Sequence, residues 1–500
     1  MAMTQPLAEF FEGTEIFVTG GSGVVGKALI EKLLRSCNVR RIFVLLRPRR
    51  ELNVEQRLAK LRQAAIFQVL RVQKPNELDK LVAIPGDVSQ QALGIDANHL
   101  KLLTQVSLVF HCAATVRFDE PLRVALQLNV GGTLEALKFA EQLRHLRVFV
   151  HVSTFFSNPY LQRVEPKYYS SPMDWRLCLR LLHEIKDDDE LDALTRKLIV
   201  GFPNTYTFTK NLAESLINDY RTRLPVIVYR PSIVLFAVRD PLPGYAPSLM
   251  GAMGLFSLVG AGLLKTVYIG NTVHLDITPQ DMGIKGMIYY TKCGYDAYQQ
   301  GTPKELLVFQ TSSRTHIPYT FKEMANHMDD YDLWYTGAFL NNLMVPGCHY
   351  TDNRFVYKFL VFTKQLIPAL LVDLLMVLFR RPPVLMPIMR KLYHTLEVMK
   401  PFMLNNYDSP GTSKIQHLLQ ETKGTEFDLC EEYSTNYNPE RLTSACSNMI
   451  LSIRHDLLKE HPSTLPRAQL IMRIKTVVYR AILIYLLYKM LSWLWYHFLV

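Results

Sequence analysis

The stretch "YTFTK" at 206–210 sets a phenol and an ammonium group four residues apart. Positions i and i+4 share one face of a helix. On such a face Tyr206 could pass a proton to an alkoxide forming on a carbonyl carbon. Lys210, one turn on, could tune that phenol. Free tyrosine ionises near about 10, and a neighbouring cation is expected to bring it down toward working pH. Ordinary helices carry the same pair by chance, so the upstream residues decide. "HVST" (151–154) ends a β-type run with Ser153 and Thr154, hydroxyls able to orient a carbonyl oxygen. "TGGSGVVG" (19–26) spaces Gly20, Gly23 and Gly26 between an apolar run and a helical pattern. Glycines so placed make the tight turn, let backbone approach a pyrophosphate, and pack helix on strand. The pyrophosphate then lies at a helix N-terminus.

The end of the second apolar run selects the dinucleotide. "LLRPRR" (45–50) offers Arg47, Arg49 and Arg50, with no acid before Glu51. A guanidinium suits a ribose 2′-phosphate, so NADPH is the expected cofactor, with Arg47 as the contact. "GDV" (86–88) places Asp87 where an adenine amine could bind. Ala113 and Ala114 are small enough to let a cofactor lie over the sheet edge.

These residues need a scaffold. Apolar runs at 16–19, 41–46, 81–88, 107–114, 147–153 and 225–234 alternate with amphipathic stretches, and YTFTK falls in the helix before the last. Buried strands alternating with helices predict an α/β, Rossmann-type doubly wound parallel sheet. Residues 160–203 read as an insertion, with Asp187–Glu190 as a solvated acidic loop. After about 235 the pattern changes. Residues 244–264 are small, apolar and glycine-rich, either a packed helix or an acyl entrance. From about 350 the chain reads as helices. The run 359–379 is interrupted by Lys364, Pro368 and Asp373. It predicts a helical hairpin, packed on the protein or lying in a membrane interface, rather than a clean span. The expected divisions are a Rossmann domain over 1–290, a helical region over 291–465 and a hydrophobic segment over 474–500.

That last segment, "TVVYRAILIYLLYKMLSWLWYHFLV" (476–500), is long enough for a bilayer core of about 30 Å. Arg480 and Lys489 interrupt it, Trp493, Trp495 and Tyr496 suit an interfacial belt, and Arg467, Arg473 and Lys475 form a basic flank. The positive-inside rule puts the flank and the catalytic domain in the cytosol. Spanning and interfacial placements stay open. The endoplasmic reticulum is placed ahead of the peroxisome.

The 500 residues are 49% hydrophobic and 20% charged, which argues against a disordered chain and a polytopic membrane protein. A formal charge of +11 favours anionic partners. Without zinc-finger spacing or a long basic helix, nucleic acid is the least supported. Seven scattered cysteines, with no C-x-x-C and no N-x-S/T sequon, point to reduced thiols. The first residues have no apolar signal region, and the second residue is Ala2 rather than the glycine that myristoylation requires. No metal is expected: His111-Cys112 and Cys348-His349 are isolated pairs.

The wording of several stretches is more specific than the fold. "GTEIFVTGGSGVVGKALIEKLLRSC", "VFHCAATVRFDEPLRVALQLNVGGT", "HVSTFFSNPY", "PNTYTFTKNLAE" and "VYRPSIV" closely resemble the fatty acyl-CoA reductases, extended short-chain dehydrogenase/reductases, with an arthropod-type tail. The resemblance covers 10–290 and, more loosely, 355–460. It implies NADPH-dependent reduction of long-chain acyl-CoA to the primary alcohol, with release of CoA. It implies catalytic roles for Thr154, Tyr206 and Lys210. It also implies a cofactor surface made by Thr19, Gly20, Ser22, Gly23, Val24, Val25, Gly26, Arg47, Asp87, Val88, Ala113, Ala114, Ser153, Pro231 and Ser232. The sequence departs from the family at Val24, commonly Phe, at Phe155-Phe156, commonly Ala-Tyr, and in the loop 239–251. These departures bear on acyl-chain preference. An aldehyde-releasing reductase, a membrane-bound dehydrogenase of sterols or other lipid alcohols, and a non-catalytic scaffold are the alternatives. Chain length and oligomeric state are not encoded legibly.

Overall fold

The computed structural model describes residues 6–48, 52–274, 276–312, 320–330, 332–409, 413–429 and 439–498. The chain divides into two compact units. The first comprises 1–242, 274–318 and 406–437; the second 243–273, 319–405 and 438–500.

The first unit holds a seven-stranded sheet. Its strands are β1 (Glu15–Thr19), β2 (Arg41–Leu46), β3 (Leu81–Pro85), β4 (Val106–His111), β5 (Val148–Val152), β6 (Val226–Pro231) and β7 (Leu307–Thr311). All pairings are parallel, in the order β7-β6-β5-β4-β1-β2-β3. The six expected runs are all strands. Residues of β1, β4 and β5 are buried throughout, as a sheet covered on both faces requires. The order reverses between β1 and β4, which opens a crevice at the carboxyl ends of the strands. β7 lies beyond the expected boundary at 290. It pairs in register with β6, Leu307 opposite Ile227 and Thr311 opposite Pro231.

Three helices position the residues of interest: α1 (Val24–Ser36) after β1, α2 (Gly132–Ala140) between β4 and β5, and α3 (Thr205–Tyr220) before β6. α3 starts because Asn204 caps it, its side chain accepting the N–H of Thr207 at 2.9 Å. Such a cap is worth about 1 kcal/mol. The acidic run at 187–190 is not a loop. Asp187 caps the helix Asp188–Leu198 by accepting the N–H of Asp189, and the following acids meet the positive end of the helix dipole. Arg123 binds Asp188 at 2.5 Å and ties that helix down.

In the second unit, the glycine-rich segment forms a packed helix, Ala252–Gly260, with Met253, Phe256 and Val259 buried. Gly260 lies where a Cβ would meet Trp334 and Phe339 at under 3 Å, so small residues serve close packing. A helical run from Arg354 to Leu378 turns back into the helix Leu385–Leu404, the expected hairpin. Among the described residues, Arg354–Leu378 is the one run long and apolar enough to cross a membrane. The helix Leu465–Phe498 has 34 residues.

Candidate functional site

The glycine loop leaves β1 through Gly20, whose φ of +71° lies in the left-handed region that favours glycine. A Cβ there would sit 2.6 Å from the backbone nitrogen of Ala113, and one on Gly26 would sit 2.4 Å from the Gly20 carbonyl oxygen. The loop therefore lies directly against the end of β4. Gly23 occupies the cap position of α1 without a side-chain cap, and no acid lies in the first turn. The first N–H groups of α1 are thus left for an anionic ligand. Ser22 and Gly23 are exposed, Val24 and Val25 half-buried, Gly26 buried. A pyrophosphate fits this cradle.

Arg47 follows β2 with its side chain 57% exposed, 3.8 Å from the Asp87 carboxylate. The other Asp87 oxygen accepts from the N–H and hydroxyl of Ser89 at 3.0 and 2.9 Å. Arg49 and Arg50 lie outside the described residues. Val88 is buried, within reach of a Cβ on Gly132 at the start of α2. Ala113 and Ala114 are half-buried beside the loop.

Under the crevice, Thr19, His111 and His151 form a row across β1, β4 and β5. Thr19 bonds His111 Nδ1 at 2.9 Å; His111 Nε2 bonds Thr133 at 3.1 Å; Thr133 donates to the Asn129 carbonyl at 2.7 Å. Thr133 has spent its proton, so His111 must donate from Nε2, and Nδ1 then accepts from Thr19. Burial holds His111 at about 3, neutral, and drives His151 down in the same direction. Thr19 therefore binds the sheet interior through its hydroxyl. His151, the β5 neighbour of His111, stacks on it at 5.6 Å between ring centres.

α3 carries Tyr206 and Lys210 on one face. Tyr206 is half-buried, its ring 5.6 Å from that of Phe118. Burial pushes its phenol up to about 12, against a hydrogen bond from the Thr154 side chain that lowers it. The shift runs opposite to the sequence expectation, because loss of hydration outweighs any stabilisation of phenolate. Tyr206 is accordingly held as the neutral phenol. Lys210 is buried and gives its ammonium to the Val152 carbonyl at 2.7 Å. Burial brings it down to about 8, partly offset by Cys112 and Glu214.

Successive residues after β5 point apart. Ser153 donates to Glu214 at 2.5 Å, whereas Thr154 accepts from the N–H of Phe156 at 3.3 Å and faces Tyr206. Pro231 closes β6, and the Ser232 hydroxyl lies 2.5 Å from that of Thr278. The structure thus brings Thr154 to Tyr206 and holds the hydroxyls of Ser153 and Ser232 to other partners.

Two supports went unread in the sequence. Glu214 accepts from Arg230 through both oxygens, Nε at 2.8 Å and Nη2 at 2.5 Å, with both side chains fully buried. Glu214 stands at i+8 from Tyr206 and i+4 from Lys210, so helical periodicity could have found it. Asn129 sits in a π-helical turn, Leu126–Gly131, the kind of insertion common at functional sites. Its amide binds both backbone groups of Thr115 and donates to Thr209 at 2.9 Å, fastening the loop after β4 to α3.

An NAD-binding family model described as "Male sterility protein" matches residues 18–287. Fatty acyl-CoA reductase 1 of Xenopus laevis is 30% identical over 474 residues, covering 93% of this chain and 88% of the relative. The chain belongs to the fatty acyl-CoA reductase family. A second member, fatty acyl-CoA reductase wat of Drosophila melanogaster, is 29% identical over 505 residues, covering 98% of this chain and 92% of the relative. The fold is also that of the terminal R domain of the myxalamid PKS-NRPS pathway, with TM-score 0.58, 18% identity, and coverage of 89% of this chain and 92% of that one. The cofactor of this reductase fold is a nicotinamide dinucleotide.

Proposed function

We propose that this chain reduces a long-chain fatty acyl-CoA to the primary alcohol with NADPH, releasing CoA and holding the intermediate aldehyde at the same site. The observation that carries the reading is the pairing of Thr154 with a neutral Tyr206 in a reductase-family chain with an open phosphate cradle. When bound, the reduced dinucleotide supplies hydride. Tyr206 donates to the oxygen on which charge develops, and Thr154 holds that oxygen with it. Collapse of the hemithioacetal breaks the C–S bond, returns the carbonyl and frees the CoA thiol. Reduction of the aldehyde places the same demands on the same two groups. Lys210, its ammonium resting on the Val152 carbonyl, is the group that would hold the ribose. The 2′-phosphate preference rests on Arg47, an exposed cation at the end of β2. Phe118 and Phe156 offer an apolar surface beside these groups.

The membrane is part of the reading. At about 1.5 Å per residue, a 34-residue helix such as Leu465–Phe498 exceeds a bilayer core of about 30 Å. Its side chains from Val477 to Trp493 are exposed and mostly apolar. With the basic flank inside, the catalytic unit faces the cytosol, and the endoplasmic reticulum is placed ahead of the peroxisome.

Product stoichiometry tests the reading. Two NADPH consumed per CoA released, with alcohol as the lipid product, supports it. One NADPH per CoA with free aldehyde would replace it with an aldehyde-forming reductase.

A further inference from the structure

The helical run Arg354–Leu378 has two unlike faces. One is fastened to its own unit by buried polar groups. Gln365 accepts from the N–H groups of Lys265 and Thr266 at 2.5 and 3.2 Å and donates to Tyr393 at 2.5 Å. Asp373 accepts the N–H groups of Val384, Leu385 and Met386 at 2.7–2.9 Å, capping the second helix of the hairpin. Gln365, Ala369 and Asp373, spaced by four, are all buried. Most of the remaining surface of the helix is open. Phe355 is 86% and Phe379 74% exposed, with Phe359, Phe362, Leu371 and Leu375 exposed between them.

A helix nailed along one side by Gln365 and Asp373 cannot thread a bilayer. Crossing would pull both groups out of their bonds, at several kcal/mol for each polar group left unsatisfied in hydrocarbon. It can present its free face to lipid side-on. Exposed cations accompany these apolar residues: Arg354, Lys358, Lys364, Arg380 and Arg381 on the helix and turn, and Arg390 and Lys391 on the return helix. Of the acids on the hairpin, Asp373 is consumed as a cap and Glu397 is paired with Lys400 at 3.0 Å.

We infer that the hairpin Arg354–Leu404 lies in the plane of an anionic bilayer surface, its Phe355–Phe379 face immersed and its basic rim at the headgroups. This rests on the membrane attachment proposed above and adds a second, lateral contact to it. An amphipathic helix binds an interface by apolar burial plus attraction to anionic lipid, so charge selects the occupant. A second copy of the chain would bring one cationic rim against another. Lipid phosphates would neutralise it.

The test uses the full chain in phosphatidylcholine vesicles, with and without phosphatidylserine, containing a phospholipid with a diazirine on its acyl chain. After photolysis, adducts are mapped by peptide mass. The expected adducts fall on Phe359, Leu371 and Leu375, and on the helix Leu465–Phe498, with none on Gln365 or Asp373. High salt or omission of phosphatidylserine reduces the hairpin adducts and spares those on the terminal helix. The double change Leu371→Glu and Leu375→Glu removes the hairpin adducts and leaves activity in detergent unchanged. Adducts on the terminal helix alone would overturn the inference, as would adducts around the whole hairpin helix, hairpin peptides cross-linked between copies, or adducts that persist in the double variant. Absence of adducts from both segments would instead remove the membrane reading itself.

Discussion

Arg230 and Glu214 form a fully buried, two-pronged ion pair at the end of β6, and the same Glu214 oxygen that meets Arg230 Nε takes the hydroxyl of Ser153. The remaining guanidinium nitrogen donates to the carbonyl oxygens of Glu165 and Lys167, at 3.3 and 3.1 Å, where the 160–203 insertion begins. One pair thereby fixes the strand end that carries Thr154, the helix that carries Tyr206, and the insertion. Removing one partner strands the other charge. Glu214→Gln is expected to cost about 3–5 kcal/mol in urea unfolding. Replacing both residues by methionine should recover much of that loss and yield folded protein of low activity. A Glu214→Gln midpoint equal to the parent's would contradict the account.

At Gly26, as at Gly20, added volume meets backbone rather than a movable side chain. Gly26→Ala should weaken NADPH binding, read by fluorescence, and lower stability by about 1–3 kcal/mol through overpacking. Unchanged affinity would mean the loop holds no pyrophosphate.

The proposed NADPH preference places the 2′-phosphate on Arg47. Arg47→Ala should weaken NADPH by roughly 10–100-fold, the worth of a charge-assisted bond of about 1.5–3 kcal/mol. NADH affinity should change little. Equal effects on both cofactors would move the 2′-phosphate contact elsewhere.

Acid should destabilise the first unit in a defined window. His111 and His151 stay neutral when folded and take up protons when unfolded, so the unfolded state binds more protons below about 6.5, for His111 down to about 3. Stability therefore falls as pH drops through that range. Among the described residues neither nitrogen of His151 has a hydrogen-bond partner, so His151→Leu should flatten the acid limb of a Tm–pH profile. Lys210 acts at the other end. Its folded value is depressed, to about 8, so its burial penalty is fully present below about 8 and disappears toward 10.5. Loss of its charge above about 8 should weaken NADPH binding in the same interval.

Much of the fold was legible because parallel strands buried on both faces must read as apolar runs, and six did. β7 was harder. "LVFQT" is short, and it lies past a 20-residue helix, Gln280–Gln299, beyond the last motif. Residues distant in sequence join each compact unit, an arrangement set by tertiary contacts that local pattern does not carry. The turn at Gly20 and the helix that sets Tyr206 and Lys210 one turn apart were readable from spacing. The different partners of Thr154 and Ser153, both buried, follow from the two-residue alternation of a strand end. The upward shift of the Tyr206 phenol was not readable, because burial and not the charge of a neighbour sets its sign.

The most direct measurement follows NADPH oxidation, free thiol and lipid product together, with detergent-solubilised full chain and a series of long-chain acyl-CoAs, beside Tyr206→Phe. The account predicts CoA and primary alcohol from the parent, and a fall of roughly 10²–10⁴-fold in kcat for the variant with NADPH affinity retained, as loss of a positioned proton donor should give. Bound NADPH with neither thiol nor alcohol from any acyl-CoA, or full activity in Tyr206→Phe, would contradict it.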